Sequence, residues 1–306
     1  MPSRIIEVAP ANSGYALVLH GGAGGRVEEL SLESHGLYEQ GLAHAYAAGA
    51  GILERGGSAL DAVSEAVRHL EDNPLFNAGR GAALTATGRA ELDACVVTGD
   101  GRAGAVAVSH SARNPVFLAR AVLERSDHVL LVSPSAEQLD AWDLEQVSPE
   151  YFITPARELQ LSNVQARRLA ASRHGTVGAV AVDVSGKVAA ATSTGGMVNQ
   201  RDGRVGDTPI VGAGTYARDG VVAVSCTGEG ESFIEGVVSH DIYARMLYGG
   251  AGLAEAVTAT IEQELATRGA TGGIIAVGAD GRVVVGHNSP AMFAAYQSPA
   301  GLVILT

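Results

Sequence analysis

Four short stretches of this 306-residue chain carry side chains able to do acyl-transfer chemistry. The first is Gly175-Thr176-Val177-Gly178-Ala179-Val180-Ala181. The chain has 40 glycines but none from Ala105 to His174, and an apolar, strand-like run opens directly after Gly175 with a β-branched hydroxyl residue. A chain that cuts its own amide before Thr176 would give that residue both an attacking Oγ and a free α-amine. An amide nitrogen cannot take a proton, whereas an α-amine has an ordinary pKa of roughly 7.7–8.0, close to working pH. Base and nucleophile would then share one residue, so their mutual orientation is largely fixed in advance. Gly175 suits such a bond because a residue without Cβ tolerates a twisted, crowded backbone. Taken alone, a threonine at a strand start reads only as β-propensity.

The other three stretches lie downstream. Thr192-Ser193-Thr194-Gly195-Gly196-Met197 clusters hydroxyls at the end of the strand expected to pair with the one after Thr176. Gly203-Arg204-Val205-Gly206-Asp207 puts a cationic fork and a carboxylate in one loop. Ser225-Cys226-Thr227-Gly228-Glu229-Gly230-Glu231 ends a third strand in a hydroxyl and flexible backbone amides. Three such strand ends can converge on one pocket. Without further context, Arg204 and Asp207 read as a surface ion pair, worth little, and Ser193 and Ser232 read as structural.

Competing motifs fail on context. Gly212-Ala213-Gly214-Thr215-Tyr216-Ala217 fits the loose dinucleotide pattern but precedes a turn and a strand, so no helix N-terminus faces a phosphate. His20-Gly21-Gly22 resembles a hydrolase oxyanion loop, yet no Gly-x-Ser-x-Gly elbow partners it, and His20 reads as a packed strand-end residue. The nine histidines are scattered singly, which argues against a catalytic transition metal.

Residues 15–20 predict a buried strand running into Gly21-Gly22-Ala23-Gly24-Gly25. Residues 33–55 are Ala-rich and predict a helix stopped by Gly56-Gly57. Ser58 and Asp61 resemble a capping box, with Leu60, Val63, Val67 and Leu70 at helical spacing, so a second helix should end before Asn73-Pro74. Residues 82–87 and 91–97 predict a hairpin around Gly88. A strand is expected at 103–109, a helix at 115–125 and a short strand at 128–132. Residues 133–174 hold three prolines and weak helical periodicity, which predicts a partly helical, exposed connector to Gly175. Beyond Thr176, strands are expected at 177–183, 187–194 and 221–225, helices at 233–248 and 253–267, and strands at 273–277, 283–286 and 292–297. Hairpins outnumber strand–helix–strand crossovers, which favours antiparallel sheets between helix layers.

Hydrophobic residues make up 46% of the chain, enough for a substantial core. A formal charge of −12 argues against nucleic acid or anionic membrane as a partner. Residues 1–14 lack the apolar core of a signal peptide, and no apolar run approaches a membrane span. Cys95 and Cys226 are too few for a disulfide framework and suit a reducing compartment. A cytoplasmic location is expected.

With Asn73-Pro74-Leu75-Phe76-Asn77-Ala78-Gly79-Arg80-Gly81 upstream, the four stretches resemble the plant-type (type 3) L-asparaginases, also called isoaspartyl peptidases, from about residue 15 to residue 297. The resemblance implies an α+β fold, the four-layer αββα sandwich of N-terminal-nucleophile hydrolases. It implies one domain over residues 1–306, self-cleaved between Gly175 and Thr176 into chains 1–175 and 176–306. Thr194 would orient the Thr176 hydroxyl. The Thr227 hydroxyl and the Gly228 N–H would form the oxyanion hole, where losing one donor costs about 10²–10³ in rate. Arg204 would hold the substrate α-carboxylate through its planar fork. Asp207, assisted by the Gly230 carbonyl, would take the α-ammonium, and Asn77 would lie at the pocket's edge.

Leu70, Glu71, Asn73, Phe76, Ala78 and Arg80 match a loop whose backbone carbonyls bind a structural Na⁺ in relatives; the same residues read equally well as an ordinary loop pinned by Pro74. No cofactor is implied for catalysis. The implied substrates are L-asparagine, releasing ammonia, and β-aspartyl dipeptides, releasing an amino acid, both through a Thr176 ester. The implied assembly is a homodimer of cleaved protomers. Two other readings stay open at this point. A glycosylasparaginase of the same superfamily is expected to carry a secretory segment and an Asp where this chain has Gly175. An unprocessed paralogue would bind ligand without turnover.

Overall fold

A computed structural model describes residues 2–10, 14–24, 32–166 and 175–306. Gly25, residues 167–174 of the expected connector, and Met1 with residues 11–13 of the amino-terminal stretch lie outside the described residues. Upstream of Gly175 the elements are β1 Arg4–Val8, β2 Ala16–Gly24, α1 Leu32–Glu54, α2 Ala59–Asp72, β3 Leu92–Thr98, β4 Ala103–Ser109, α3 Pro115–Arg125, β5 Leu130–Val132, α4 Ala136–Ala141 and α5 Pro155–Gln165. Downstream they are β6 Val177–Val182, β7 Val188–Thr194, β8 Thr215–Arg218, β9 Val222–Gly228, α6 Gly230–Gly236, α7 Val238–Leu247, α8 Leu253–Thr260, β10 Gly272–Gly278, β11 Val283–His287, β12 Ala291–Ser298 and β13 Gly301–Leu305.

The chain is a mixed α+β protein whose described strands form two sheets, ordered β13-β12-β2-β6-β7-β3-β4-β5 and β1-β11-β10-β9-β8. Their pairings are antiparallel apart from β4 with β5. Side chains on a strand alternate between faces, and the cores divide accordingly. Leu17 and Leu19 of β2 and Ala189 and Ala191 of β7 join α1, α2 and α3 in one core. Val18 and Ala190, on the opposite faces, join Val283, Val285, Ile275 and Ala223 of the second sheet. The far face of that sheet, with Val224, Ile274 and Val284, packs on Ile242 of α7 and Val257 of α8.

Local rules explain α2, which bears on the site. Ser58 caps it by accepting from the Asp61 N–H at 3.1 Å. Ala59, Val63, Ala66, Val67 and Leu70 form its buried stripe. Truncating the fully buried Leu70 to alanine should cost about 2–5 kcal/mol. The helix stops at Asn73, which is extended ahead of Pro74.

Several expectations need correction. Residues 82–87 form no strand: only a Leu84–Ala90 bridge spans the Gly88 turn, and β3 pairs with β4 and β7 instead. Ala82, Ala83 and Leu84 are drawn instead into a core with Phe152 and Leu161. Those two partners belong to the connector, which is therefore partly buried rather than simply exposed. The helix expected at 233–248 is two helices, α6 and α7, broken at Val237 with φ +47. Three short strands, β1, β8 and β13, were not anticipated.

Candidate active site

The inner faces of the two sheets are apolar in the middle and turn polar at one end. On same-face positions Val18 gives way to His20 in β2, and Ala190 to Thr192 and Thr194 in β7. Val180 gives way to Gly178 and Thr176 before β6, and Ala223 to Ser225 and Thr227 in β9. The three strand ends singled out in the sequence therefore meet at this polar end.

The Thr176 hydroxyl donates to Thr194 Oγ1 at 3.2 Å, and Thr194 Oγ1 also accepts from the Gly196 N–H at 3.0 Å. Both threonines are buried. Thr227 Oγ1 accepts from the Ala23 N–H at 3.3 Å, which occupies one lone pair and leaves its proton free to be donated. A Cβ on Gly175 would collide with Thr227 Oγ1, and one on Gly22, at φ +115, would lie 2.8 Å from the Gly175 carbonyl oxygen. The crowding expected at Gly175 is thus steric. Gly228 has φ +148, and a Cβ there would lie 2.6 Å from the Thr271 carbonyl oxygen, so only glycine fits this end of β9.

Arg204, Asp207 and Gly230 are also brought together. A Cβ on Gly230 would lie 2.9 Å from both Arg204 Nη2 and Asp207 Oδ1. Asp207 is buried, and its Oδ2 has no hydrogen-bond partner among the described residues. Burial pushes its carboxyl up to about 7, with the Arg204 charge acting in the opposite direction. Its Oδ1 faces Gly230 and Arg204, and an ammonium placed there would supply a compensating charge for the buried carboxylate.

Sequence reasoning missed the groups that hold Arg204. Its Nε and Nη2 donate to Glu231 Oε1 and Oε2 at 2.8 and 3.0 Å, and its Nη1 to Gln200 Oε1 at 3.2 Å. Glu231 lies in the same glycine-rich stretch as Gly230, which was the one available signal. Gln200 carried none.

His20 is packed as expected, yet it is not inert. It is fully buried, and its Nε2 lies 3.0 Å from Ser225 Oγ. From there a hydroxyl chain runs through Thr192, 2.8 Å from Ser225, to Thr215 at 2.6 Å and the Thr208 carbonyl at 3.2 Å. Burial lowers the His20 pKa to about 3, with the Thr176 backbone acting weakly the other way. The imidazole is neutral at working pH.

Asn77 is buried, its amide donating to the Gly196 carbonyl at 2.7 Å and accepting from the Ala83 N–H at 2.6 Å. It braces the turn that follows Thr194. In the loop before it, the Leu70, Glu71 and Asn73 carbonyls accept from the Asn73, Arg80 and Phe76 N–H groups at 3.3, 2.8 and 3.2 Å. Each carbonyl oxygen keeps a second lone pair, so neutral donors for a hard monovalent cation are present. The Glu71 side chain points elsewhere: Oε1 accepts from the Val116 N–H at 2.9 Å and from Ser193 Oγ at 2.6 Å. Among the described residues no cluster of three or more His, Cys, Asp or Glu could hold a metal ion, and no helix is long and apolar enough to cross a membrane.

The sequence profile described as Asparaginase matches residues 13–304. The chain is 48% identical over 294 residues to an isoaspartyl peptidase of Salmonella typhimurium, covering 92% of this chain and 94% of that one. It is 46% identical to an isoaspartyl peptidase of Escherichia coli, covering 92% of each. A probable isoaspartyl peptidase/L-asparaginase of Arabidopsis thaliana is 39% identical over 92% of this chain and 94% of its own length.

Proposed function

The chain belongs to the asparaginase family, and from that premise we propose that it is a threonine-nucleophile amidohydrolase. It cuts itself between Gly175 and Thr176, then releases ammonia from L-asparagine and amino acids from β-aspartyl dipeptides. The names of its relatives support both substrate classes. The observation that carries the reading is the Thr176–Thr194 hydroxyl contact of 3.2 Å, directly after a glycine that packs on Thr227.

Once the bond to Gly175 is cut, the Thr176 α-amine takes the proton of its own hydroxyl, and Oγ attacks the substrate's side-chain carbonyl. Thr194 holds that hydroxyl in place. The Thr227 hydroxyl and the Gly228 N–H receive the developing oxyanion. The leaving amine departs with the proton held by the Thr176 α-ammonium, leaving an aspartyl ester on Thr176. Water then attacks the ester with the same amine as base and frees the acid. Arg204 takes the α-carboxylate, and Asp207 with the Gly230 carbonyl takes the α-ammonium. Internal peptide bonds and simple amides, which lack that pair of groups, are poor substrates. Asn77 borders the pocket through the turn it braces.

The same reading makes the layers an αββα sandwich in a single domain, cut into chains 1–175 and 176–306. The three stacked cores, helix on sheet on sheet on helix, support it. It makes the working form a cytoplasmic homodimer of cleaved protomers, needing no cofactor for catalysis. The carbonyls of Leu70, Glu71, Asn73, Phe76, Ala78 and Arg80 would hold a structural Na⁺ that stiffens the loop.

Peptide mass mapping for a new amino terminus at Thr176, run beside ammonia release from L-asparagine, tests the proposal. Full activity from a chain unbroken across positions 175 and 176 would overturn it.

A further inference from the structure

We propose that Glu91 and Asp93 are positioning residues for substrate recognition: they pin the two ends of the turn that carries Arg204 and tie it to the strand that carries Thr194. The proposal rests on the reading of Arg204 and Asp207 as the clamp on a free amino-acid end. Glu91, just before β3, and Asp93 within it are alternate residues and face the same turn, while Leu92 between them packs on the other side with Phe152 and Leu161. Both carboxylates are buried. Glu91 Oε2 accepts from the Gly203 N–H at 2.8 Å, and Asp93 Oδ2 from the Gly206 N–H at 3.5 Å. Arg204 sits between those two amides.

Asp93 also links this turn to the nucleophile. It stands opposite Thr194 in the β3–β7 register, so the two side chains share a face. Its other oxygen, Oδ1, accepts from the Val108 N–H at 2.9 Å. Val108 has φ +55 and lies where the β3–β4 register shifts, a bulge that turns its amide toward Asp93. Carboxylates are the strongest acceptors available for backbone N–H groups, and the Arg204 charge offsets part of the burial of Asp93, which still pushes that carboxyl up to about 6. The placement of the Arg204 backbone relative to Thr176 is therefore fixed by two side chains that touch neither substrate nor nucleophile. Slack of about 1 Å in such a frame is enough to weaken binding at a fixed reacting centre.

The test uses the full chain with Glu91→Ala, Glu91→Gln and Asp93→Asn, scoring self-cleavage, KM and kcat on a β-aspartyl dipeptide. Glutamine keeps an acceptor for the Gly203 amide and alanine does not. Asparagine leaves an N–H₂ facing one of the two amides that Asp93 holds. We expect Glu91→Ala and Asp93→Asn to cleave at Gly175–Thr176 fully, with KM raised about tenfold and kcat within about threefold. Glu91→Gln should return KM to within about twofold. An unchanged KM in Glu91→Ala, a glutamine variant as impaired as alanine, or loss of kcat and self-cleavage at constant KM would overturn the clamp. Should Asp93→Asn not accumulate as folded protein, the two Glu91 variants decide the matter. An unaltered chain without turnover would remove the catalytic reading, and the clamp with it; turnover with insensitive variants would remove the clamp alone.

Discussion

Arg204 grips Glu231 with both prongs of its guanidinium, at 2.8 and 3.0 Å. The fork proposed for a substrate carboxylate is thus already filled by one of the protein's own. Glu231 is 60% exposed at its side chain, so the pair is worth at most about 1 kcal/mol. Glu231→Gln should lower KM for L-asparagine by about two- to fivefold at constant kcat, read from initial rates of ammonia release. A higher KM would mean that Glu231 helps to seat the substrate.

Thr176→Ala should remain one chain on denaturing electrophoresis and release no ammonia. Turnover by that variant would remove Thr176 as nucleophile.

Thr194→Val keeps the shape of the residue but loses the acceptor for the Thr176 hydroxyl. A drop of about 10²-fold in kcat with little change in KM is expected, because orientation of the attacking group is lost while the binding pair is untouched. Steady-state kinetics on pre-cleaved protein would check it.

Asp207 governs a pH effect. Burial raises its pKa to about 7, so the free protein loses the negative charge as pH falls through that value. Affinity for an α-ammonium should weaken in the same direction, approaching tenfold per pH unit on the acid side. The inhibition constant of L-aspartate isolates this from the titration of the Thr176 amine. It should rise below about pH 7, and Asp207→Asn should flatten the profile while binding poorly throughout.

Glu71 makes a stability prediction. Its carboxyl is fully buried and raised to about 8 by burial. The folded state then holds a proton that the unfolded state releases above about pH 4.5, so this residue's contribution to stability falls as pH rises from there to about 8. Glu71→Gln mimics the protonated acid. Its Tm should track the unaltered protein at low pH and exceed it by a few degrees near pH 8, as thermal melts across pH would show. An equal pH dependence in both proteins would rule out a buried titration at Glu71.

Much of this was legible in the sequence because the hydroxyls proposed for catalysis close or open long apolar runs. Thr176, Thr194 and Thr227 sit where β6, β7 and β9 begin or end, so strand boundaries marked their positions, while the family resemblance supplied their roles. Arg204 and Asp207 were visible as residue types, but Glu231 and Gln200 were not visible as their partners, since side-chain pairing in a loop leaves no periodic trace. Tertiary context overrode local propensity elsewhere. Val237 takes a left-handed φ inside a helical pattern, and β1 exists only because Arg4–Val8 finds β11 at the far end of the chain. Residues 82–87 alternate like a strand, yet Leu84 is claimed by Phe152 of the connector.

The order of strands in the larger sheet has a consequence for the mature protein. β13, β12, β6 and β7 come from the segment after Gly175, while β2, β3, β4 and β5 come from the one before it, and β2 lies between β12 and β6. Scission would therefore not let the halves drift apart, because each completes the other's hydrogen-bond ladder. Melting the cut protein would free two separate polypeptides, and recovery would become a second-order encounter that slows on dilution. The precursor, whose halves are tethered, would refold at a rate independent of concentration. Self-cutting would thus trade reversible folding for a folded state that is kept, once made, by the slowness of its undoing.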